Sequence, residues 1–166
     1  MDNDDGALPP ACPVEVRFSL SKSLWFDLVF VVGTQGRVVE TSDTMWHVGA
    51  LLDWLRAIVR KDARPVMDVD REGWIDRLEA LHVDDDRVRL RIMDLFDPSK
   101  CFVDAVVSRR KLVWEIYFEL MAHRDAIAGG SDPDALSLLA VEAWLDWPRY
   151  KDRFSMTDDV TGLERA

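Results

Sequence analysis

The stretch Ser108 to Ala128, SRRKLVWEIYFELMAHRDAIA, is the longest uninterrupted helical pattern in the sequence. On a helix, where successive residues are spaced about 100° apart, its apolar side chains fill most of the circumference. They are Leu112, Val113, Trp114, Ile116, Tyr117, Phe118, Leu120 and Met121. Only a strip with Lys111, Glu115 and Glu119 stays polar. A helix this apolar must be covered on more than one side, so we expect the other elements to surround it.

Three strands and a helix are predicted before this stretch. Val14 to Leu20 alternates apolar and polar residues, which predicts a half-buried strand near an edge. Leu24 to Val32 is apolar on both faces except at Asp27, which predicts a central strand covered on both sides. A short strand is predicted from Arg37 to Glu40, and Thr44 to Lys61 has the apolar spacing of a helix.

Four more strands are predicted between the two helices, at Val66 to Val69, Trp74 to Val83, Arg87 to Leu95 and Cys101 to Val107. Beyond the long helical stretch, the apolar pattern predicts a third helix from Asp132 to Trp147. The predicted fold class is therefore α+β, a mainly antiparallel sheet with two helices packed on it and a third C-terminal helix. We expect one domain over residues 14–150, between a disordered leader at 1–13 and a loose tail at 151–166.

The two longest predicted strands should form a hairpin through the three consecutive aspartates at positions 84–86. Its register would place Leu78 beside Ile92, Glu79 beside Arg91, and Asp76 opposite Asp94. This register buries apolar against apolar side chains and pairs opposite charges. The carboxylates of Asp76 and Asp94 would repel unless they share a proton or a metal ion, and such pairs serve in acid–base catalysis. The alternative interpretation is that both lie in water at the rim of the sheet.

Composition restricts the partners and the compartment. The 166 residues carry a formal charge of −10, which disfavours nucleic acid and anionic membranes as partners and favours a basic protein or a cation. Cys12 and Cys101 lack zinc-like spacing and predict no disulfide. The acidic N-terminus has no signal-peptide pattern, and no apolar run approaches about 18 residues. We therefore predict a cytoplasmic protein that binds neither nucleic acid nor a membrane.

Residues Asp68 to Glu79, DVDREGWIDRLE, resemble the calcium-binding loop of EF-hand proteins. Asp68, Asp70, Asp76 and Glu79 occupy positions that supply oxygen ligands in that loop. The flanks disagree, because Pro65 interrupts the incoming helix and the aspartate loop cuts the outgoing helix short. We therefore predict a β-turn at 70–73 that leads into a strand, with no metal or cofactor bound.

Two of the predicted helices carry more apolar surface than one contact would cover. On the helix from Thr44 to Lys61, Trp46 lies on the side away from the core stripe. The C-terminal helix and its continuation carry four further aromatic residues, Trp144, Trp147, Tyr150 and Phe154. Aromatic clusters are enriched where proteins meet partners. We predict that these five residues form a partner surface, in a homodimer or in a complex with another protein.

The order of elements and the DREG turn at Asp70 to Gly73 resemble small uncharacterised bacterial proteins, some of which resemble immunity proteins that neutralise toxins of neighbouring cells. The resemblance covers roughly Val14 to Ala128. It implies a non-catalytic domain that binds and inhibits a basic protein. The alternative is a metal-binding protein or hydrolase that uses Asp76 and Asp94.

Overall fold

The computed structural model describes residues 10–20, 26–41, 44–71 and 73–123. These residues form seven strands and two helices, in an order that matches the predicted one. The elements are β1 (Val14–Leu20), β2 (Phe26–Val32), β3 (Gln35–Glu40), α1 (Thr44–Val59), β4 (Val66–Arg71), β5 (Trp74–His82), β6 (Arg87–Asp94), β7 (Cys101–Ser108) and α2 (Arg109–Ala122). The strands form two antiparallel sheets, with orders β1-β2-β3 and β4-β5-β6-β7.

The predicted fold class is wrong in two respects. The strands form two sheets rather than one, because β3 ends without pairing to a strand of the second sheet. The described residues contain two helices, so the predicted third helix has no support, and Asp132 to Trp147 lies outside them. The long helix ends at Ala122, with His123 as its C-cap.

The three-stranded sheet presents one face to the core. Leu28, Phe30 and Val32 of β2 are buried on that face, while Val31 on the other face is 43% exposed. The prediction that β2 is covered on both sides is therefore wrong, although its central position in its sheet is confirmed. A two-residue turn joins β2 to β3, and its Gly33 adopts a φ of 58°, a conformation that favours glycine.

The four-stranded sheet confirms the predicted hairpin register. Leu78 pairs with Ile92 and Glu79 with Arg91 across β5 and β6. Leu78 and Ile92 are buried in the core, as expected. Glu79, on the opposite face of the strand, is also buried, at 1% exposed. Its carboxylate lies between Arg64 (2.6 Å) and Arg91 (3.4 Å), whose side chains cover it.

The long helix α2 packs its apolar side chains into the common core and runs beside the outer edge of β1. Its polar strip is not simply solvated. Glu119 accepts a hydrogen bond from the backbone N–H of Phe18 (2.6 Å), and Glu115 accepts one from Val16 (3.4 Å). Four residues of helix rise about 6 Å and two residues of strand about 6.8 Å, so the two spacings match. The helix thereby covers an edge that would otherwise be open.

Part of the predicted leader pairs with β7. Cys12, within the predicted leader, donates its backbone N–H to the Val106 carbonyl (2.7 Å) and forms a parallel bridge with Val107. Residues 1–9 and 124–166, which include the predicted tail, lie outside the described part of the chain. Of the two described helices, neither is long and apolar enough to cross a membrane.

Candidate functional site

The candidate site lies at one end of the β5–β6 hairpin, where the last inward-facing residues of the second sheet meet β3. A cavity of about 250 Å³ opens there. The charged and aromatic residues that line it include Arg37, Arg71, Trp74, Asp76, Asp94 and Lys100. Cation, carboxylate and indole therefore share one small volume.

Asp76 and Asp94 face each other across β5 and β6, as the register predicted. The Leu95 N–H donates to the Ile75 carbonyl (2.8 Å), so the adjacent Asp76–Asp94 pair lies between ladder hydrogen bonds. In such a pair the Cα atoms are only about 4.5 Å apart and the side chains approach closely. The carboxylates are 4% and 5% exposed, so the interpretation that both lie in water is wrong. The inner face of the sheet is covered at this end by β3.

Arg37 of β3 neutralises the first of these carboxylates. Its Nη2 lies 2.7 Å and 2.9 Å from the two oxygens of Asp76, and its Nε donates to Oδ2 at 3.2 Å. The guanidinium carbon also lies 3.7 Å from the centre of the Phe102 ring, a cation–π contact. Because both oxygens of Asp76 accept from one guanidinium, this carboxylate serves to join the two sheets.

Asp94 has one oxygen engaged and one open. Its Oδ1 accepts the backbone N–H groups of Phe96 (2.9 Å) and Asp97 (3.2 Å), which holds the turn after β6. Its Oδ2 has no hydrogen-bond partner among the described residues. Solvent reaches this oxygen, because Asp94 lines the cavity.

The two other cations that line the cavity already have carboxylate partners. Arg71 donates to Glu40 on β3 (2.6 Å), and Lys100 lies 3.2 Å from Asp97 in the same turn. The first pair lies beside Asp27, which faces Glu40 across β2 and β3. Burial raises the pKa of the Asp27 carboxyl, and the charge of Glu40 raises it further while that of Arg71 lowers it.

Two large exposed aromatic side chains lie at this end of the hairpin, and one of them, Trp74, lines the cavity. Trp74 is 62% exposed and Phe96 is 69% exposed, the highest values among the large apolar residues of the described chain. The Lys100 ammonium lies 6.0 Å from the centre of the Trp74 ring. The hydrogen bond from Leu95 to Ile75 brings Phe96 to the same end of the hairpin as Trp74. Exposed tryptophan and phenylalanine beside charged groups are typical of protein-binding surfaces.

The structure separates the residues of the EF-hand-like stretch. They form the β4–β5 hairpin, in which Gly73 adopts a φ of 102° and donates its N–H to Asp70 (3.4 Å). Asp68 forms a bidentate pair with Arg77 at 2.7 Å, and Glu79 is held by the arginines described above. In the described part of the chain, no three His, Cys, Asp or Glu side chains are arranged to hold a metal ion. The predicted strand after the turn is present, but the turn begins one residue later than predicted, because Asp70 and Arg71 still pair with Ile75 and Trp74.

The predicted partner surface lies beyond what the structure describes. The backbone of Trp46 belongs to α1, but its side chain is outside the described part. Trp144, Trp147, Tyr150 and Phe154 are likewise outside the described residues. The role of these five residues stays a prediction.

Sequence reasoning missed Arg37, Trp74 and Phe96 as members of one site. The signal for the aromatic pair was available, because the register that sets Asp76 opposite Asp94 leads two residues further to Trp74 and Phe96. Arg37 had no such signal, since it reaches Asp76 across 39 residues of chain and between two sheets. Only the packing of the sheets brings it there.

Larger grooves exist elsewhere on the described surface. One of about 520 Å³ lies between the β2–β3 turn and α2, where Lys111 and Glu115 bind each other and Glu15 is paired with Arg17. Another of about 340 Å³ lies between α1 and β4. Neither is lined by an exposed aromatic side chain. Comparison of the chain with family models, curated proteins and solved structures finds no match. The resemblance to immunity proteins therefore stays a prediction.

Proposed function

We propose that this protein is a non-catalytic, acidic binding domain that inhibits a basic protein partner, such as a nuclease toxin, in the cytoplasm. The observation that carries the proposal is the exposure of Trp74, which lines a charged cavity, and of Phe96 at the same end of the hairpin. Large aromatic side chains contribute most of the binding energy in many interfaces. Two such side chains exposed to water at neighbouring turns indicate a surface that a partner covers in a complex.

The state of the buried carboxylates supports binding over catalysis. A general base needs an oxygen that can take a proton from a substrate. Both oxygens of Asp76 are hydrogen-bonded to Arg37, and Oδ1 of Asp94 is used to hold a backbone turn. The remaining oxygen, Oδ2 of Asp94, can accept a hydrogen bond from a partner. Among the residues that line the cavity, no second carboxylate is free to act with it as an acid–base pair.

The charge of the chain supports a basic partner. The described residues include 17 acidic and 15 basic side chains, a net charge of −2, whereas the whole chain has −10. Most of the negative charge therefore belongs to segments outside the described residues. A negative field of this size accelerates encounter with a basic protein and weakens as salt is added.

The experiment is capture of partners on the immobilised full chain, compared with a Trp74→Ala/Phe96→Ala double variant. Phe118→Ala is a matched control, because Phe118 is also an exposed aromatic residue, 45% exposed, but lies on α2. We expect a basic protein to be retained by the wild type and the control and lost by the double variant. The retained protein is then purified, and its affinity for the three chains is measured by calorimetry.

Sedimentation of the isolated protein tests the homodimer as the other form of partner. A homodimer would have a mass of about twice 19.1 kDa. If the double variant then has the mass of a single chain, a second copy of the protein occupies this surface. Equal affinity of the purified partner for the wild type and the double variant would contradict the proposed site.

A further inference from the structure

The cavity has one charge that its own residues leave unsatisfied. Arg37 is bound by Asp76, Arg71 by Glu40 and Lys100 by Asp97, so each cation that lines it has an anionic partner. Asp94 has no cationic partner within the described chain, and its Oδ2 has no donor. The group that best complements this cavity is therefore a cation or a strong hydrogen-bond donor.

The enclosed position of Asp94 strengthens its attraction for a cation. Asp94 is 5% exposed, and an ion pair formed at so enclosed a carboxylate is stronger than one at the open surface, where water screens the charges. A positively charged group that reaches Oδ2 would supply both the missing charge and the missing donor. Charge-assisted hydrogen bonds of this kind are about twice as strong as neutral ones.

The indole of Trp74 supplies a second element of recognition. Its ring is largely exposed, and the one contact in which the described structure engages its face is the distant Lys100 ammonium at 6.0 Å. Tryptophan is the best aromatic partner for a cation, and a planar guanidinium stacks on it as well as being attracted by it. A side chain that enters the cavity over this ring would point its head towards the buried carboxylates.

An aromatic ring and a carboxylate already bind one guanidinium at the adjacent position in this cavity. Arg37 lies between the Phe102 ring and the Asp76 carboxylate, an aromatic face and an anion for one guanidinium. Trp74 and Asp94 offer a second aromatic face and a second anion in the same cavity, with the guanidinium missing.

From these contacts, and resting on the proposed protein-binding function, we infer that the cavity receives an arginine side chain of the basic partner. The stem of that arginine crosses Trp74, and its guanidinium donates to Oδ2 of Asp94. An anionic ligand is disfavoured, because every cation in the cavity is already paired and the incoming charge would meet Asp94.

The test uses the isotope-labelled full chain and a small probe, N-acetyl-arginine amide, in an NMR titration at constant ionic strength. The neutral citrulline analogue has nearly the same shape without the charge and is the matched probe. We expect saturable shifts of the Trp74 indole N–H and of the Phe96 and Asp97 amides with the arginine probe. We expect none with the citrulline probe, and weaker binding of N-acetyl-lysine amide, which lacks a planar head.

Two variants locate the charge that binds the probe. Asp94→Asn removes the charge at the same size, and Asp68→Asn makes the same change in net charge on the outer face of the sheet. The arginine-induced shifts should be lost in the first variant and retained in the second. Because Asp94→Asn also alters a turn, Trp74→Leu is a further variant at an exposed position, and it should weaken binding at least five-fold.

Several outcomes would overturn the inference. They are equal binding of the citrulline probe, equal binding of the lysine probe, unchanged binding by Asp94→Asn or Trp74→Leu, and shifts that map to the outer face. Inorganic phosphate that shifts the Arg71 and Lys100 resonances where the arginine probe does not would show an anion site instead. If the arginine probe fails while the Trp74→Ala/Phe96→Ala variant still loses its partner, this inference is wrong and the proposed function stands.

Discussion

Asp27 is the only charged residue of β2. It lies in the apolar run of β2 and faces Glu40 across the sheet. Burial raises the pKa of its carboxyl and the neighbouring Glu40 adds to the increase, so its ionised form is disfavoured in the folded protein. A carboxyl whose pKa is higher in the folded state destabilises that state increasingly as pH rises above the unfolded pKa, and in full above the folded pKa. The penalty disappears as pH falls towards the ordinary value of 3.8.

Replacing Asp27 with asparagine should therefore stabilise the protein at neutral pH. The gain should shrink as pH is lowered through the folded pKa towards 3.8, because the wild-type carboxyl then takes up a proton. Urea unfolding of both proteins across pH 4 to 7 measures this difference. Asp53→Asn, at an exposed position of α1, makes the same change in net charge and serves as the control. A variant less stable than the wild type at pH 7 would contradict the assignment.

The candidate site was predictable from sequence in part. The alternation of Trp74 to Val83 and Arg87 to Leu95 around three aspartates was enough to set Asp76 opposite Asp94. The state of each carboxylate was not predictable. It depends on Arg37, which comes from the other sheet, and on a turn in which Asp94 accepts two backbone N–H groups.

At the scale of elements, the edge strands of the two sheets are protected by side chains. Glu115 and Glu119 of α2 accept hydrogen bonds from the edge of β1, and the side-chain amide of Gln35 binds the backbone of Asp104 on β7 (2.7 Å). Exposed strand edges promote pairing with other chains. The sequence pattern identified the polar strip on α2 but could not show that a strand edge lies beside it.

Removing the Glu119 carboxylate should open the edge of β1. Glu119→Ala leaves the Phe18 N–H without its acceptor, so we expect a loss of about 1–3 kcal/mol in the free energy of unfolding. Hydrogen exchange should accelerate at the Phe18 amide more than at the Arg17 amide, which lies on the β2 side of the strand. Lys111→Ala, on the same helix face, should leave the Phe18 amide unchanged. Equal protection of Phe18 in wild type and Glu119→Ala would contradict this role.

At the scale of the whole molecule, Arg109 joins three elements that are distant in sequence. It is 1% exposed and donates to the carbonyls of Asp85 (3.0 Å), Ile58 (3.4 Å) and Val59 (3.0 Å). The last two carbonyls end α1, where helical partners are missing and a positive charge is favourable. One guanidinium thus holds the end of α1, the hairpin loop and the start of α2.

A lysine in place of Arg109 should not restore these contacts, because one ammonium cannot reach carbonyls on both sides of a guanidinium. We expect Arg109→Lys to lower the free energy of unfolding by roughly 2–4 kcal/mol. Arg110→Lys, whose ion pair with Asp86 is partly exposed, should change it by no more than about 0.5 kcal/mol. Urea unfolding compares the two variants, and similar losses for both would contradict the role of Arg109.

The division of the strands into two sheets is a property of the whole molecule, and the sequence pattern did not predict it. Hairpin pairings follow from alternation and turn residues, which are local. Whether β3 pairs across α1 with another strand depends on how the helix packs, and the sequence pattern carries no direct signal for it. The separation of β3 from the second sheet is what places Arg37 above Asp76.

The most direct measurement of the proposed binding surface is an NMR map of the full chain with its purified partner. We predict that the largest amide and indole shifts fall on residues 71–76 and 94–102, around Trp74, Asp94 and Phe96, with smaller changes on α2. Shifts concentrated on the α1–β4 groove, on the outer face with Arg77 and Arg89, or on Trp144 to Phe154 alone would contradict it.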